Sequence, residues 1–302
     1  MKRKLIGIIL SITLLMSMGV TANAEENLST NIETKAVEKN GYVFIITEEE
    51  NENHQVIRSY KKDTSKKTGK SQESDIEQAK ALLLAMDIEE DTVNSLPHDK
   101  LQFVAESVSI QSAVSYIKTD RDNNSVYVDR ETALTESAVI NERINAEWAS
   151  KTSGTTPDQN WTHKDSYIEM RYTVLYNGDG KFAYLAGIDL LVAPAFRGWD
   201  SLASCTMNSA IIPESRWAEF KYNISTINKF TGETTTVPHS EEPKKFQDII
   251  QSGWCGSGIT VLLPKDETEG AIINRRYSGF GINYWYVGAV NYPQDDSNFI
   301  AY

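Results

Sequence analysis

Asp120, Asp122 and Asn124 occupy positions 1, 3 and 5 of a twelve-residue stretch that closes on Glu131. This is the oxygen-ligand spacing of a calcium-binding loop, in which carboxylate and amide oxygens converge on the ion and a terminal glutamate completes the shell. Position 6 is Ser125, where the sharp turn of such a loop favours glycine, and the flanking residues alternate like strands rather than helices. The competing reading is a hairpin turn whose acids face water. A calcium site predicts a melting temperature that rises with added calcium by mass action, and a plain turn predicts none.

Two further sets of residues could carry chemistry. Cys255 lies in Gly253-Trp254-Cys255-Gly256-Ser257-Gly258, a setting that could expose a thiolate, with His54, His98, His163 and His239 as the imidazole partners on offer. The same letters fit a turn carrying a structural half-cystine. Asp189 interrupts an apolar strand pattern and Asp200 follows Gly198-Trp199, so both could be inward-facing acids beside aromatics, a glycoside-cleaving carboxylate pair; salt bridges to Arg197 or Arg216, or plain exposure, account for the same letters. No G-x-S-x-G elbow, H-E-x-x-H helix or C-x-x-C pair is present.

Aromatic residues are the third set. All six Trp lie between Trp148 and Trp285, and the densest run is Tyr277 to Tyr286. Strand alternation places Phe280, Ile282, Tyr284 and Tyr286 on one face and Asn283 and Trp285 on the other. One face must be core. The other is either buried in its turn, as between the sheets of a sandwich, or a stacking platform for sugar rings or a surface that meets lipid headgroups, and the latter readings make Trp199, Tyr284, Trp285 and Tyr286 the candidate ligand-binding residues.

Whatever positions these residues is expected to work outside the cytoplasm, because the first 24 residues have the layout of an export signal. Met1-Lys2-Arg3-Lys4 is basic, Leu5 to Val20 is apolar and uncharged, and Ala22-Asn23-Ala24 precedes an expected cut before Glu25, the pattern of a secretory signal peptide. The segment carries three of the 30 basic residues and none of the 42 acidic ones, so cleavage would move the net charge from −12 to −15. A surface this acidic repels nucleic acid, which is bound by clustered Lys and Arg. No second apolar run reaches spanning length, and the mature chain reads as a soluble body. Cys205 and Cys255 are the two cysteines; an oxidising exterior favours one disulfide, which the chain-entropy relation values at about 4 kcal/mol for a loop of this size. Two free thiols remain the alternative.

Along the chain, Glu25 to Asn40 is polar and reads as loose. Residues 42–47 and 55–60 read as a hairpin with a charged tip, and Lys61 to Ser74, with five lysines and almost nothing to bury, as a flexible linker. Ile76, Ala79, Leu82, Leu83 and Met86 repeat at helical spacing, and two more short helices follow, around Val93 and Leu96 and after Pro97. Val108 to Lys118 alternates as a strand, answered by Ser125 to Val128; Glu131 to Trp148 is a helix, and residues 149–164 form a boundary. Beyond it the pattern is β. Tyr167 to Tyr176 and Lys181 to Val192 flank Asn177-Gly178-Asp179-Gly180, a hairpin turn, and further strands fit 216–228, 258–263 and 272–292, with a short helix at 246–250 and a polar loop at 232–245.

The helical stretch Ala79 to Asp87 through Leu96 and Leu101, the segment Val114-Ser115-Tyr116-Ile117-Lys118, and Phe196-Arg197-Gly198-Trp199-Asp200-Ser201-Leu202 with Asn291-Tyr292-Pro293 resemble a group of uncharacterised secreted proteins of Gram-positive bacteria. The resemblance covers residues 75–293, implies export and a two-part layout, and brings no activity to any residue.

These readings add up to an α+β protein. Residues 25–148 form a small N-terminal part, a β-hairpin plus short helices, and residues 166–302 a C-terminal antiparallel, sandwich-like β domain. The expected function is an exported, non-enzymatic protein that binds an extracellular partner, wall glycan or protein, through its aromatic β surface. A membrane-active secreted factor that meets a target bilayer is the alternative, and a secreted hydrolase the third reading.

Overall fold

Alternation of apolar and polar side chains governs most of this chain, and strands dominate the structure that results. The computed structural model describes residues 31–63, 72–120, 122, 124–150, 165–192, 199–206, 211–228, 230–241, 246–251, 254–262, 268–269 and 273–290. The expected signal peptide lies outside the described residues, as does most of the expected linker. Three strands, β1 (Asn31–Lys39), β2 (Tyr42–Glu50) and β3 (Val56–Lys61), lead into three short helices, α1 (Gln72–Ala85), α2 (Glu90–Ser95) and α3 (His98–Glu106). Then come β4 (Ser109–Thr119), β5 (Ser125–Val128) and the long helix α4 (Arg130–Ser150). The remainder is β: β6 (Ser166–Tyr176), β7 (Lys181–Leu190), β8 (Trp199–Thr206), β9 (Ile211–Asn228), β10 (Thr234–Glu241), β11 (Phe246–Gln251), β12 (Trp254–Leu262), β13 (Thr268–Glu269) and β14 (Ile273–Val290).

One antiparallel sheet of eleven strands runs in the order β1-β2-β3-β4-β6-β7-β14-β9-β10, with β5 paired to β4 and β13 to β14. It does not break at residues 149–164. β4 and β6 are hydrogen-bonded neighbours along their whole length, from Ser109 opposite Tyr176 to Thr119 opposite Ser166, so the N- and C-terminal parts share one sheet. Three local expectations are corrected. Residues 31–39, read as loose, form β1, because its backbone pairs residue for residue with β2 although its side chains bury little. Residues 246–250, read as a helix, form β11 against β12, and the polar loop 232–245 contains β10, an exposed strand held by its ladder to β9.

The two faces of the sheet are covered differently. On one, Phe44, Ile46, Ile110, Leu175, Leu185, Trp285 and Val287 meet Leu82, Leu83, Met86, Val93, Leu101 and Val104 of α1 to α3. Further along the same face, α4 lays Ala133, Ile140 and Ile144 over Val114, Tyr116 and Tyr167. The opposite face carries Phe182, Tyr184, Phe220, Tyr222, Ile282, Tyr284 and Tyr286, and a small sheet in the order β11-β12-β8 covers it with Leu202, Ile259 and Val261.

The alternation expected in 282–286 is therefore present, with Asn283 and Trp285 opposed to Ile282, Tyr284 and Tyr286, and both faces are interior. Phe280 precedes this alternating run at a register slip. Between Ser278 and Gly281 the β14–β9 register gains one residue, a β-bulge at which Gly279 adopts φ +63°. A Cβ at Gly279 would come 2.5 Å from Asn223 Nδ2, so space as well as backbone conformation demands glycine there. The β6–β7 turn matches its sequence signal. Asn177 Oδ1 accepts the N–H groups of Asp179 and Lys181, and Gly178 and Gly180 take positive φ.

Trp285, fully buried and edge-on to Phe103 with ring centroids 6.2 Å apart, is the largest side chain joining the sheet to the helices. Trp285→Ala is expected to lower stability by about 3 to 5 kcal/mol, seen as a shift in the urea midpoint. An unchanged midpoint would show that the ring is not core.

Candidate functional site

Charged residues at positions that the alternation reserves for the core mark the site. Tyr167, Glu169, Arg171, Thr173 and Leu175 of β6 share the helix-covered face, and Glu169 and Arg171 stand between the apolar contacts of α4 and those of α1 to α3. The register sets their neighbours. Tyr116, Glu169, Asp189, Gly281 and Lys221 form one row across β4, β6, β7, β14 and β9, and Val114, Arg171, Gly187, Asn283 and Glu219 form the next.

Arg171, only 6% exposed, is the centre. Its Nη2 contacts Asp189 Oδ2 and lies 3.2 Å from Glu89 Oε2, and its Nε lies 3.3 Å from Glu169 Oε1. Glu89 comes from the residue immediately before α2, so the guanidinium ties the helical layer to the sheet. A second tie is the hydrogen bond, 3.1 Å, donated by Asn283 Nδ2 to Thr92 Oγ1 of α2. Two glycines make the room. A Cβ on Gly187 would lie 3.1 Å from Asn283 Oδ1, and one on Gly281 would lie 2.5 Å from Asp189 Oδ1. The network continues outward, with Arg58 Nη1 2.9 Å from Asp87 Oδ2 and its Nε 2.6 Å from Glu48 Oε2, while Arg130 Nη1 stands 3.9 Å from Asp87.

The charge balance is uneven, for three carboxylates share one guanidinium. Burial pushes the Asp189 carboxyl up to about 6; Arg171 draws it back, but the charges of Glu89 and Glu169 add to the rise. Glu169 is raised for the same reason, burial first, with Arg171 opposing and Glu89 reinforcing. Burial works against charge on Arg171, and the carboxylates more than offset it, so the guanidinium is held above its ordinary value. The Tyr116 hydroxyl, which donates to Glu169, is pushed far above the phenolic range by burial and by that carboxylate. Glu89, Glu169 and Asp189 present oxygens within 4.8 Å of one another, a spacing that suits a divalent cation, but the Arg171 guanidinium already stands among them and supplies the positive charge. Its Nη1 is buried and makes no hydrogen bond among the described residues. What the arrangement can do is hold and release a proton, and fix α2 to the sheet by charge.

The residues singled out from sequence are distributed elsewhere. Tyr284, Trp285 and Tyr286 are fully buried, between the sheet and its two covers, so they offer no open stacking surface; their apolar bodies fill both sides of β14. Trp199 opens β8, and its side chain, like those of Asp200, Cys205 and Cys255, lies outside the described residues. The backbones of the two cysteines are on paired strands, Cys205 opposite Gly256 and Cys255 opposite Thr206. Asp120 caps the β4–β5 turn: Oδ1 accepts the N–H groups of Asp122 and Asn124, and Oδ2 accepts Asn124 Nδ2. Glu131 lies in the first turn of α4, and among the described residues the Asp120, Asp122, Asn124 and Glu131 oxygens are not gathered into a cluster. His54, His98 and His239 sit on a turn, at the start of α3 and on β10, and His163 lies outside the described residues.

Of the residues named from sequence whose side chains are described, only Asp189 belongs to the cluster, where it pairs with Arg171; Arg197 lies outside the described residues. Arg171, Glu169, Glu89 and Asn283 were missed. The signal available was charge at core-phase positions of β6, together with glycines inside two strands, which mark close approach.

No protein-family model, no curated protein and no solved structure matches this chain. Among the described residues, no helix is long and apolar enough to cross a membrane.

Arg171→Met is expected to destabilise the fold by about 3 to 5 kcal/mol at pH 7.5, because it leaves three clustered carboxylates without their cation. The loss should be smaller at pH 5, where Asp189 and Glu169, both raised by burial, take up protons. Equal losses at the two pH values, read from urea midpoints, would contradict this account of the cluster.

Proposed function

We propose that this is an exported protein that binds another protein outside the cell, through the bare side of its N-terminal strands rather than through its aromatic residues. The observation that carries the reading is the exposure of Ile32 (63%), Val43 (64%) and Ile45 (59%), all on the side of β1 and β2 turned away from Phe44, Ile46 and the helices. Val43 and Ile45 lie two residues apart on this open face, opposite Glu38 and Ala36, and Ile32 stands further along it beyond the Thr34–Thr47 pair; exposed apolar side chains gathered on one strand face are a feature of interaction surfaces. The edge adds to it. Among the described residues β1 pairs only with β2, so its outer N–H and C=O groups can accept a partner's strand, whereas the opposite edge, β10, carries Pro238 near its middle and lacks an N–H there. Export rests on the signal-like residues 1–24, and the acidic balance of the chain disfavours nucleic acid as the partner.

The double substitution Val43→Lys with Ile45→Lys tests the reading, since both positions face solvent and the fold should tolerate charge. With the mature chain as bait against the culture-medium and envelope fractions of the producing cell, the wild type is expected to retain a defined protein that the double variant loses. Equal retention by both, or none by either, would count against the proposal.

A second reading has one observation in its favour. Glu169 and Asp189 are cross-strand partners with raised carboxyls, and they bring oxygens within 4.8 Å of each other, inside the reach of carboxylate pairs, roughly 5 Å apart, that cleave glycosides with retention. It requires release of reducing ends from purified wall glycan by the wild type and none by Glu169→Gln.

A further inference from the structure

We propose that the Arg171 cluster is a proton-operated latch, holding α2 and the helical layer against the sheet more tightly in mildly acidic medium than at neutral pH. The geometry places two carboxylates, Asp189 from the sheet and Glu89 from the residue before α2, on the same guanidinium nitrogen, Nη2. They compete for it. When Asp189 is charged, Arg171 is divided between a partner on its own sheet and the one that belongs to the helices. When Asp189 is protonated, the pull of the sheet partner falls and the Glu89 contact strengthens, as the charge-assisted member of the pair.

The groups that face Asp189 come from every surrounding element. Arg171 and Glu169 lie on β6, Glu89 precedes α2, and Tyr116 on β4 acts through its bond to Glu169. Arg130 at the start of α4 and Asp87 after α1 form the outer ring, and Lys221 on β9, opposite Gly281, is engaged by Glu219 at 3.2 Å. β14 contributes only Gly281 and the uncharged Asn283. No second cation contacts Asp189 among the described residues, so the surplus negative charge of the cluster is relieved by a proton.

The sign follows from linkage. In the closed structure the Asp189 carboxyl sits near 6, against an ordinary value of 3.8, and opening the interface to water returns it toward that value. Between roughly pH 4 and pH 6 the closed form therefore binds more protons, so closure is favoured as pH falls through about 6 and loses that advantage as pH rises past it.

Amide hydrogen exchange of α2, corrected for intrinsic rates, reads the latch directly. In the wild-type chain, protection of residues 90–95 is expected to be about tenfold higher at pH 5 than at pH 7.5. Asp189→Asn, which imitates the protonated acid, should show the higher protection at both pH values. Glu89→Gln, at an exposed position that leaves the core intact, should show the lower protection at both. A wild-type ratio near one, or the full pH dependence persisting in either variant, would overturn the proposal.

Discussion

One guanidinium shared by three carboxylates is the constraint around which the middle of this structure is organised. Arg171 cannot shed its charge, so once the β6 register buries it, acceptors must gather, and they come from β6, β7 and the residue before α2. A buried ion pair is seldom a large source of stability, because desolvation consumes most of the Coulombic gain. What it supplies here is position. The apolar contacts of α1 to α3 would tolerate sliding of the helical layer on the sheet, whereas the Glu89–Arg171 and Thr92–Asn283 contacts admit one alignment. The space for that alignment is made by Gly187 and Gly281, each opposite a bulky polar neighbour in the adjacent strand.

The sheet itself explains why aromatic density misleads as a guide to function. A strand with helices on one face and a second sheet on the other needs apolar bulk on both sides, and β14 meets that need with Ile282, Tyr284 and Tyr286 on one side and Trp285 on the other. Near the opposite edge the requirement lapses. The small sheet covers β7, β14 and β9, and the same face of β1 and β2 is bare, so Val43 and Ile45 face solvent while Phe44 and Ile46 between them are interior.

Local patterns were legible where one residue's chemistry decides the outcome. The Asn177-Gly178-Asp179-Gly180 turn, the helical spacing of Ala79 to Met86 and the alternation of 282–286 each carry their own reason in adjacent letters. What could not be read is decided by distant partners. β1 and β10 bury little and are strands only because β2 and β9 offer them a ladder, and β11 is a strand because β12 lies beside it. The site belongs to the same class. Asp189 was visible as an acid in an apolar run, but its link to Arg171, Glu169 and Glu89 depends on the register of β6 with β7 and on how α2 lies across them. The adjacency of β4 and β6, which merges the two expected parts into one sheet, likewise joins strands separated by a helix and a long connection.

The bulge between Ser278 and Gly281 gives β14 two phases. Its single extra residue reverses which side chains point to the helices, so the odd-numbered positions that follow inherit that face only because the chain has slipped once. The slip is absorbed within the ladder to β9: a chain shortened by one residue in that short interval would lose the bulge and run as a regular ladder, with Gly281 still opposite Lys221 and Trp285 opposite Trp217, so the tyrosines and the tryptophan would keep their sides and only the local kink would go.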